Sequence, residues 1–192
     1  MKQITQTLFL CYNIYLTLNL LLINHSFAKQ DFDQWLVNFQ TQAINSGISK
    51  KVVNETMSKA KFLPKVIEYD RYQPEFYEDT KTYVNKRVTK KKIEKGTKLY
   101  LSNVKKINEI ENKFSVEKEL LLALMGIETN FGTYVGKMDI LSSLATLSFD
   151  QRRSKFFTNE LLILLKLIDS NQIDYKSLYG SWAGAFGFFQ FM

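Results

Sequence analysis

Cysteine is nearly absent from this sequence, and its scarcity limits the chemistry that the chain can perform. Cys11 is the only cysteine, so the rest of the chain has neither a disulfide nor thiol chemistry. Proline and glycine are also few, with two and eight residues, and the alternation of apolar and polar residues that marks strands is scarce. The hydrophobic fraction of 45% excludes a disordered chain. These features predict one globular, all-α (mainly helical) domain.

The N-terminal segment differs from the rest of the chain. Lys2 is the only charged side chain in residues 1–28, and residues 8–23 are mostly apolar. Ser26 and Ala28 supply small residues before a cleavage point after Ala28, which predicts a secretory signal peptide over residues 1–28 and a periplasmic location. The apolar run is short for a membrane span, so an uncleaved anchor is the second interpretation.

Basic residues exceed acidic ones by 26 to 19, which gives a formal net charge of +7. A basic exported protein suits an anionic partner such as a cell-wall polymer or a membrane surface, and nucleic acid is not expected. We interpret the densest basic group as a solvated helix face, because acidic and apolar residues are interleaved with it; a binding surface is the alternative. That group comprises Lys86, Arg87, Lys90, Lys91, Lys92, Lys95 and Lys98.

The spacing of apolar residues predicts most of the helices. A first helix begins near Phe32 and stops at Gly47, and Ser115 is predicted to cap the N-terminus of the helix that follows it. Residues 62–76 hold both prolines and are predicted to be an extended connector. Further helices are predicted over residues 49–61, 80–92, 93–114, 140–149 and 152–168. Those over 80–114 are expected to pack through Tyr83, Val84, Val88, Leu99, Leu101, Val104, Ile107 and Ile110.

One acidic residue at the end of an apolar stretch is the main catalytic candidate. Glu128 follows residues 120–127, and in a helix it shares a face with Leu120, Leu121 and Leu124. Burial and the negative end of the helix dipole both disfavour a charged carboxylate there, so we expect Glu128 to stay protonated near neutral pH. A general acid needs that property. The alternative is an exposed glutamate at a frayed helix end.

The segment of residues 180–192, called the closing segment below, is the second candidate region. Gly180, Gly184 and Gly187 allow a close approach of the backbone to another element or to a ligand. Its flat side chains, beside small residues, suit the stacking of sugar rings, whereas close helix packing in a core is the alternative. These aromatic residues are Trp182, Phe186, Phe188 and Phe189.

Four segments together resemble the lytic murein transglycosylase B family in order and spacing. They are residues 126–132 around Glu128, residues 145–149, Arg152-Arg153 and the closing segment. Residues 73–76 (Gln-Pro-Glu-Phe) and Gly136-Lys137 match as well. The resemblance extends over residues 32–192 and implies a lysozyme-like helical domain.

The family implies cleavage of the β-1,4 bond between N-acetylmuramic acid and N-acetylglucosamine. Glu128 matches the family's single catalytic acid, which protonates the glycosidic oxygen and then accepts the proton of the muramoyl 6-hydroxyl, giving a 1,6-anhydro product. The resemblance implies that the substrate's own N-acetyl group stabilises the intermediate, so that no second carboxylate is required. The nearest downstream acid, Asp139, is better interpreted as a helix cap. No cofactor and no metal are expected, and no Asp-x-Asp-x-Asp-Gly loop predicts a calcium site.

The resemblance also implies substrate-binding residues. Ser181 and Gln190 match positions that hydrogen-bond the sugar, and Arg152, Arg153 and Tyr83 match substrate-contacting positions. For the last three, roles as helix caps or core residues stay open. The implied partner is the glycan strand of peptidoglycan, bound by a monomer with peripheral contact to the wall or membrane.

The sequence departs from the family pattern near its C-terminus. Phe186 replaces a methionine, Phe188-Phe189 replaces smaller or polar residues, and the chain stops at Met192, before the family's Pro-Ser continuation. We therefore expect a catalytic domain that is incomplete at its C-terminus, with an exposed apolar patch on the closing segment. Two further hypotheses follow: an inactive remnant that binds peptidoglycan, or a helical protein that binds a partner through this patch.

Overall fold

The computed structural model describes residues 31–73 and 77–192. The predicted signal peptide (1–28) and residues 74–76 of the family-like segment lie outside the described residues. Helices dominate the described chain, which confirms the all-α prediction. In order they are α1 (residues 31–45), α2 (Lys50–Met57), α3 (Pro64–Arg71), α4 (Thr80–Arg87), α5 (Lys90–Ser102), α6 (Val104–Phe114), α7 (Lys118–Thr129), α8 (Ile140–Phe149) and α9 (Ser154–Asp169).

Two very short strands supplement the helices. β1 (Met138–Asp139) pairs antiparallel with β2 (Tyr179–Gly180), with Met138 opposite Gly180, and a 3-10 helix (Tyr175–Ser177) precedes β2. This pairing fastens the start of the closing segment to the loop that follows α7. None of the helices within residues 31–73 and 77–192 combines the length and hydrophobicity needed to span a lipid bilayer.

The core forms around α8, in which residues 140–148 are all buried. Asp139 caps this helix by accepting a hydrogen bond from Ser142 N at 2.6 Å, which confirms its expected role. α9 packs against α8, and its buried residues Phe157, Leu161, Leu164, Leu165 and Ile168 form an apolar stripe, to which Phe156, 48% exposed, does not belong. α1, α2 and α3 complete the core, which includes Phe32, Phe39, Val53, Met57 and Val66.

The prediction of an extended connector over residues 62–76 is wrong for its middle part, which is α3. Pro64 occupies the first turn of α3, where its missing N–H costs nothing and its fixed φ favours the helix. The residues just before α3 are extended and bind polar side chains of α8. Leu63 N donates to Thr146 Oγ1 at 3.0 Å, and Lys61 N donates to Ser142 Oγ at 3.0 Å.

The helices α5, α6 and α7 pack on one another, and the boundaries of α4 to α7 differ from the prediction. The predicted helices over 80–92 and 93–114 are interrupted at Val88-Thr89 and at Asn103, where Thr89 caps α5 by accepting from Lys92 N. Ser115 does not cap α7, because it ends α6 in the left-handed conformation and α7 starts after Glu117. The expected apolar packing of this region is wrong for four of its eight residues: Val84, Val88, Leu101 and Val104 are exposed, whereas Ile107 is buried and Tyr83, Leu99 and Ile110 are half-buried.

Candidate functional site

Glu128 lies in the last turn of α7, and Asn130 ends the helix in a left-handed conformation. The Glu128 side chain is exposed, so the expected burial of its carboxylate is wrong for this chain. The reason is that the apolar face of α7 lacks a covering layer here. Leu120 and Leu124, which share the face with Glu128, are 53% and 43% exposed.

The loop after Glu128 is held by a ring inserted between two helices. Phe131 has a positive φ of 58° and donates its N–H to Met125 O at 2.9 Å, which turns its side chain back toward the helices. The ring lies against Gly126 of α7 and Gly96 of α5, and a Cβ placed at either glycine would lie 2.8 Å from Phe131 Cζ. Two glycines in facing helices therefore create the space that lets α5 pack beside the helix that carries Glu128.

Thr129, the residue after Glu128, connects α7 to the closing segment. Its side chain is buried, and Thr129 Oγ1 donates to Phe188 O at 2.8 Å while accepting from Gly132 N at 3.0 Å. One hydroxyl thus fixes the position of the closing segment relative to the end of α7.

Ser181 and Gln190 lie at the two ends of a folded closing segment. Ser181 Oγ accepts from Ala185 N at 3.0 Å, and Gln190 Nε2 donates to Gly187 O at 2.8 Å and to Val135 O at 3.3 Å. Gly136 lies so close to Gly180 that a Cβ there would meet Gly180 O at 2.0 Å. The loop that follows Glu128 therefore contacts the closing segment near both residues.

A cleft of about 650 Å³ contains Glu128. Ile127, Thr129, Asn130 and Tyr134 supply one side, and Thr89 with three lysines of α5 supplies the other. Those lysines are Lys91, Lys92 and Lys95. Lys95 spans the cleft floor, since its Nζ donates to Asn130 O at 2.6 Å and also binds Thr133 Oγ1. The lining thus contains three lysines and one acidic residue.

Tyr134 is a cleft residue that the sequence pattern does not indicate, and the three lysines belong to the basic group for which a binding surface is the alternative interpretation. The basic group was interpreted as a solvated helix face, and that interpretation holds for Lys86, which pairs with Glu78 at 2.7 Å. For Lys91, Lys92 and Lys95 it is incomplete, because α5 packs against α7 and these three residues line the same cleft as Glu128. The available signal was the lack of acidic residues in the first turn of α5.

Tyr83 lies on α4, where the Arg87 guanidinium stacks on its ring at 3.4 Å from the centroid. Arg87 also lines an apolar groove of about 420 Å³ between α5 and α7. Tyr83 itself lines neither this groove nor the cleft of Glu128.

Arg152 and Arg153 bind the buried carboxylate of Asp70. Arg152 Nη1 lies 2.8 Å from Asp70 Oδ2, and Arg153 Nη2 pairs with the other oxygen. Beside them Arg71 Nη2 bonds Asp150 Oδ1 at 2.8 Å, and this hydrogen bond holds the pKa of Asp150 below its ordinary value. The two arginines therefore join α3 to the turn between α8 and α9, which is a structural role. Substrate binding by them stays a prediction.

The aromatic residues of the closing segment are partly exposed. Phe188 and Phe191 are exposed, whereas Trp182, Phe186 and Phe189 are half-buried. Phe186 pairs with Phe191 through an isolated antiparallel bridge. The expected exposed apolar patch is therefore present, but only two of the five aromatic side chains are exposed in it. Among the described residues, no group of three or more His, Cys, Asp or Glu side chains could hold a metal ion.

Comparison with known proteins gives consistent matches. The family described as "Transglycosylase SLT domain" matches residues 31–192. Membrane-bound lytic murein transglycosylase B of Escherichia coli (strain K12) is 35% identical over 111 residues, which covers 57% of this chain and 31% of that protein.

Solved structures agree with this match. SltB3 from Pseudomonas aeruginosa, in complex with NAG-NAM-pentapeptide, superposes with a TM-score of 0.78 at 30% identity, covering 84% of this chain and 43% of that chain. The Escherichia coli lytic transglycosylase Slt35, in complex with bulgecin A, gives a TM-score of 0.70 at 30% identity, covering 82% and 51%. The chain thus spans about half or less of the length of these relatives.

Proposed function

We infer the function of this chain from its family: the chain belongs to the transglycosylase SLT domain family, and we propose that it is a peptidoglycan lytic transglycosylase. Its substrate is the bond between N-acetylmuramic acid and N-acetylglucosamine, and its catalytic residue is Glu128. The predicted signal peptide over residues 1–28 fits a substrate that lies outside the inner membrane.

One observation supports the proposal most directly. The hydrogen bond from Thr129 Oγ1 to Phe188 O, at 2.8 Å, joins the residue after Glu128 to the middle of the closing segment. Ser181 and Gln190 flank that point in the sequence. The end of α7 that carries Glu128 and the closing segment with its exposed aromatic surface are therefore connected, which suits a sugar polymer, whereas Ser181 and Gln190 do not line the cleft of Glu128.

In the proposed reaction Glu128 donates its proton to the glycosidic oxygen as the bond to the anomeric carbon breaks. The resulting carboxylate then accepts the proton of the muramoyl 6-hydroxyl, whose oxygen bonds to the same carbon. The product carries a 1,6-anhydro ring, and Glu128 regains its proton. One carboxyl group serves both steps, unlike the carboxylate pair of most glycosidases.

The proposal is tested with Glu128→Gln, which keeps the shape of the side chain but removes the acid. We expect the release of anhydromuropeptides from purified murein to fall by about 10²- to 10⁴-fold, the contribution of general acid–base catalysis. Glu117→Gln is the matched control, because Glu117 flanks the same helix, lies outside the cleft and makes no capping hydrogen bond with its side chain. Full activity of Glu128→Gln would refute the assignment.

A second candidate function is binding of peptidoglycan without cleavage. The exposure of Glu128 favours it, together with that of Leu120, Leu124 and Ile127, because a general acid works best in a site shielded from water. Co-sedimentation of the wild-type chain with murein, without anhydro products detected by mass spectrometry, would establish this function instead.

A further inference from the structure

The cleft of Glu128 has a strongly basic side that neither the fold nor the proposed acid chemistry explains. Lys91, Lys92 and Lys95 line it from α5, and Glu128 is the one acidic residue in the lining. Lys95 is occupied by Asn130 O and Thr133 Oγ1. Lys91 and Lys92 have no such partners, because within residues 31–73 and 77–192 neither has a carboxylate oxygen within 4.0 Å of its ammonium group.

Helix stability does not account for these lysines. Both lie in the first turn of α5, where the positive end of the helix dipole disfavours cations, and no acidic residue compensates them there. Nearby basic residues behave differently, since Lys86 and Arg87 both bind Glu78, at 2.7 and 3.1 Å. Among the lysines that line the cleft, Lys91 and Lys92 are therefore the two whose ammonium groups have no partner within the described residues, a state that they share with Lys90 and Lys98 outside the lining.

We propose that Lys91 and Lys92 bind carboxylate groups carried by the muramoyl residue, so that the cleft prefers peptidoglycan strands with acidic substituents over neutral sugar polymers. This inference rests on the proposed function, because it takes a peptidoglycan strand as the ligand. It adds the chemical group that the basic side of the cleft recognises.

The chemistry of the substrate fits this geometry. The muramoyl residue carries a lactyl ether at C3, two ring carbons from the C1 at which Glu128 acts. That ether ends either in a free carboxylate or in a peptide that bears several carboxylates. A sugar placed against Glu128 thus brings an anionic substituent into the cleft that Lys91 and Lys92 line. The relative SltB3 has been crystallised with NAG-NAM-pentapeptide, a ligand of this kind.

The size of the effect follows from the solvent access of the two lysines, since Lys91 is exposed and Lys92 is half-buried. An ion pair at a position open to solvent changes affinity modestly, so two such pairs together change Kd by about 2- to 30-fold. The effect should shrink as the ionic strength rises, because exposed charges are screened.

The test measures binding in the Glu128→Gln background of the full chain, so that no cleavage occurs. Lys91→Gln/Lys92→Gln is compared with Lys105→Gln/Lys106→Gln, a pair of exposed lysines on α6 that lies outside the cleft and removes the same charge. Three ligands of equal length are used: peptide-bearing strands, strands stripped of peptide with free lactyl carboxylates, and neutral N-acetylglucosamine oligomers.

We expect the 91/92 variant to bind an anionic strand about 2- to 30-fold more weakly and to bind the neutral oligomer with unchanged affinity. The control pair should match the parent on all three ligands. A loss confined to peptide-bearing strands assigns the contact to the peptide carboxylates, and a loss on stripped strands assigns it to the lactyl group. Equal losses on the neutral oligomer, equal losses in the control pair, or no measurable binding of any ligand would overturn the inference.

This outcome is separable from that of the proposed function. A selective loss of anionic binding in a chain whose wild type releases no anhydro product would leave the inference standing and remove the proposed activity. If the wild type is active but the Lys91→Gln/Lys92→Gln variant shows no selective loss of binding to anionic strands, the proposed function stands and this inference is overturned.

Discussion

The packing of α5 beside α7 can be tested by adding one methyl group at Gly126. In the structure the Phe131 ring fills the space in front of Gly126, and a Cβ there would lie 2.8 Å from Phe131 Cζ, closer than packed carbon atoms lie. Two opposing effects therefore act in Gly126→Ala. Alanine favours the helix by about 1 kcal/mol over glycine, and the forced movement of the ring costs about 1–3 kcal/mol.

The expected sum is a loss of about 0–2 kcal/mol in the free energy of unfolding. Phe131→Leu separates the two effects, because leucine lacks the Cζ and Cε atoms that approach Gly126. In the Phe131→Leu background, Gly126→Ala should therefore stabilise the chain by up to about 1 kcal/mol. Gly96→Ala on α5 should behave in the same way, since its Cβ would meet the same ring atom at 2.8 Å.

The measurement is urea unfolding of the parent, the two single variants and the double variant, with the m-value checked for constancy. The double-mutant cycle should give a coupling energy of about 1–3 kcal/mol. If Gly126→Ala stabilised the chain equally in both backgrounds, the ring would not lie between the two helices, and the described cleft would lose its framework.

Two further predictions concern hydrogen bonds and pH. Thr129→Val leaves Phe188 O without its 2.8 Å donor, and we expect it to lower the free energy of unfolding, measured in urea, by about 1–3 kcal/mol. Thr97→Val on the exposed side of α5 is the control, and its free energy of unfolding should lie within about 0.5 kcal/mol of that of the parent. Equal effects of the two substitutions would contradict the buried role of Thr129. The Arg71 guanidinium holds the pKa of Asp150 below its ordinary value, so its stabilising contribution is complete above about pH 4 and is lost as the pH falls through the lowered pKa. Asp150→Asn should therefore be less stable than the parent at pH 6, with the difference narrowing below pH 4, and a difference that does not change with pH would count against the Arg71 contact.

The amount of the fold that could be predicted varies along the chain. α8 was placed correctly, because residues 140–149 are apolar or small throughout and Asp139 supplies a cap, both of which are local signals. α3 was missed because a proline marks both extended connectors and first helical turns, and only the burial of Val66 against the core decides between them. The prediction that Ser115 caps the N-terminus of α7 is wrong for a related reason. Serine can also occupy the C-terminal end of a helix, and Ser115 ends α6.

The candidate site shows the same division. Glu128 is indicated by its place at the end of an apolar stretch and by the family resemblance, whereas Ser181 and Gln190 are indicated by the resemblance alone, and the roles of all three stay predictions. The basic group that contains Lys91, Lys92 and Lys95 is interpreted from the sequence as a solvated face, with a binding surface as the alternative, because the packing of α5 against α7 that brings these lysines into the cleft of Glu128 joins residues far apart in sequence.

The sequence by itself determined the helical class, the position of α8 and the family, because helical periodicity, caps and the order of short segments are local properties of the chain. The tertiary structure decided which surface of each helix is covered and what faces it. It left Glu128 and the apolar face of α7 exposed, and it placed three lysines opposite the carboxylate. The physical reason is that burial and the approach of charges depend on contacts between residues far apart in sequence, here through one phenylalanine ring between two glycines.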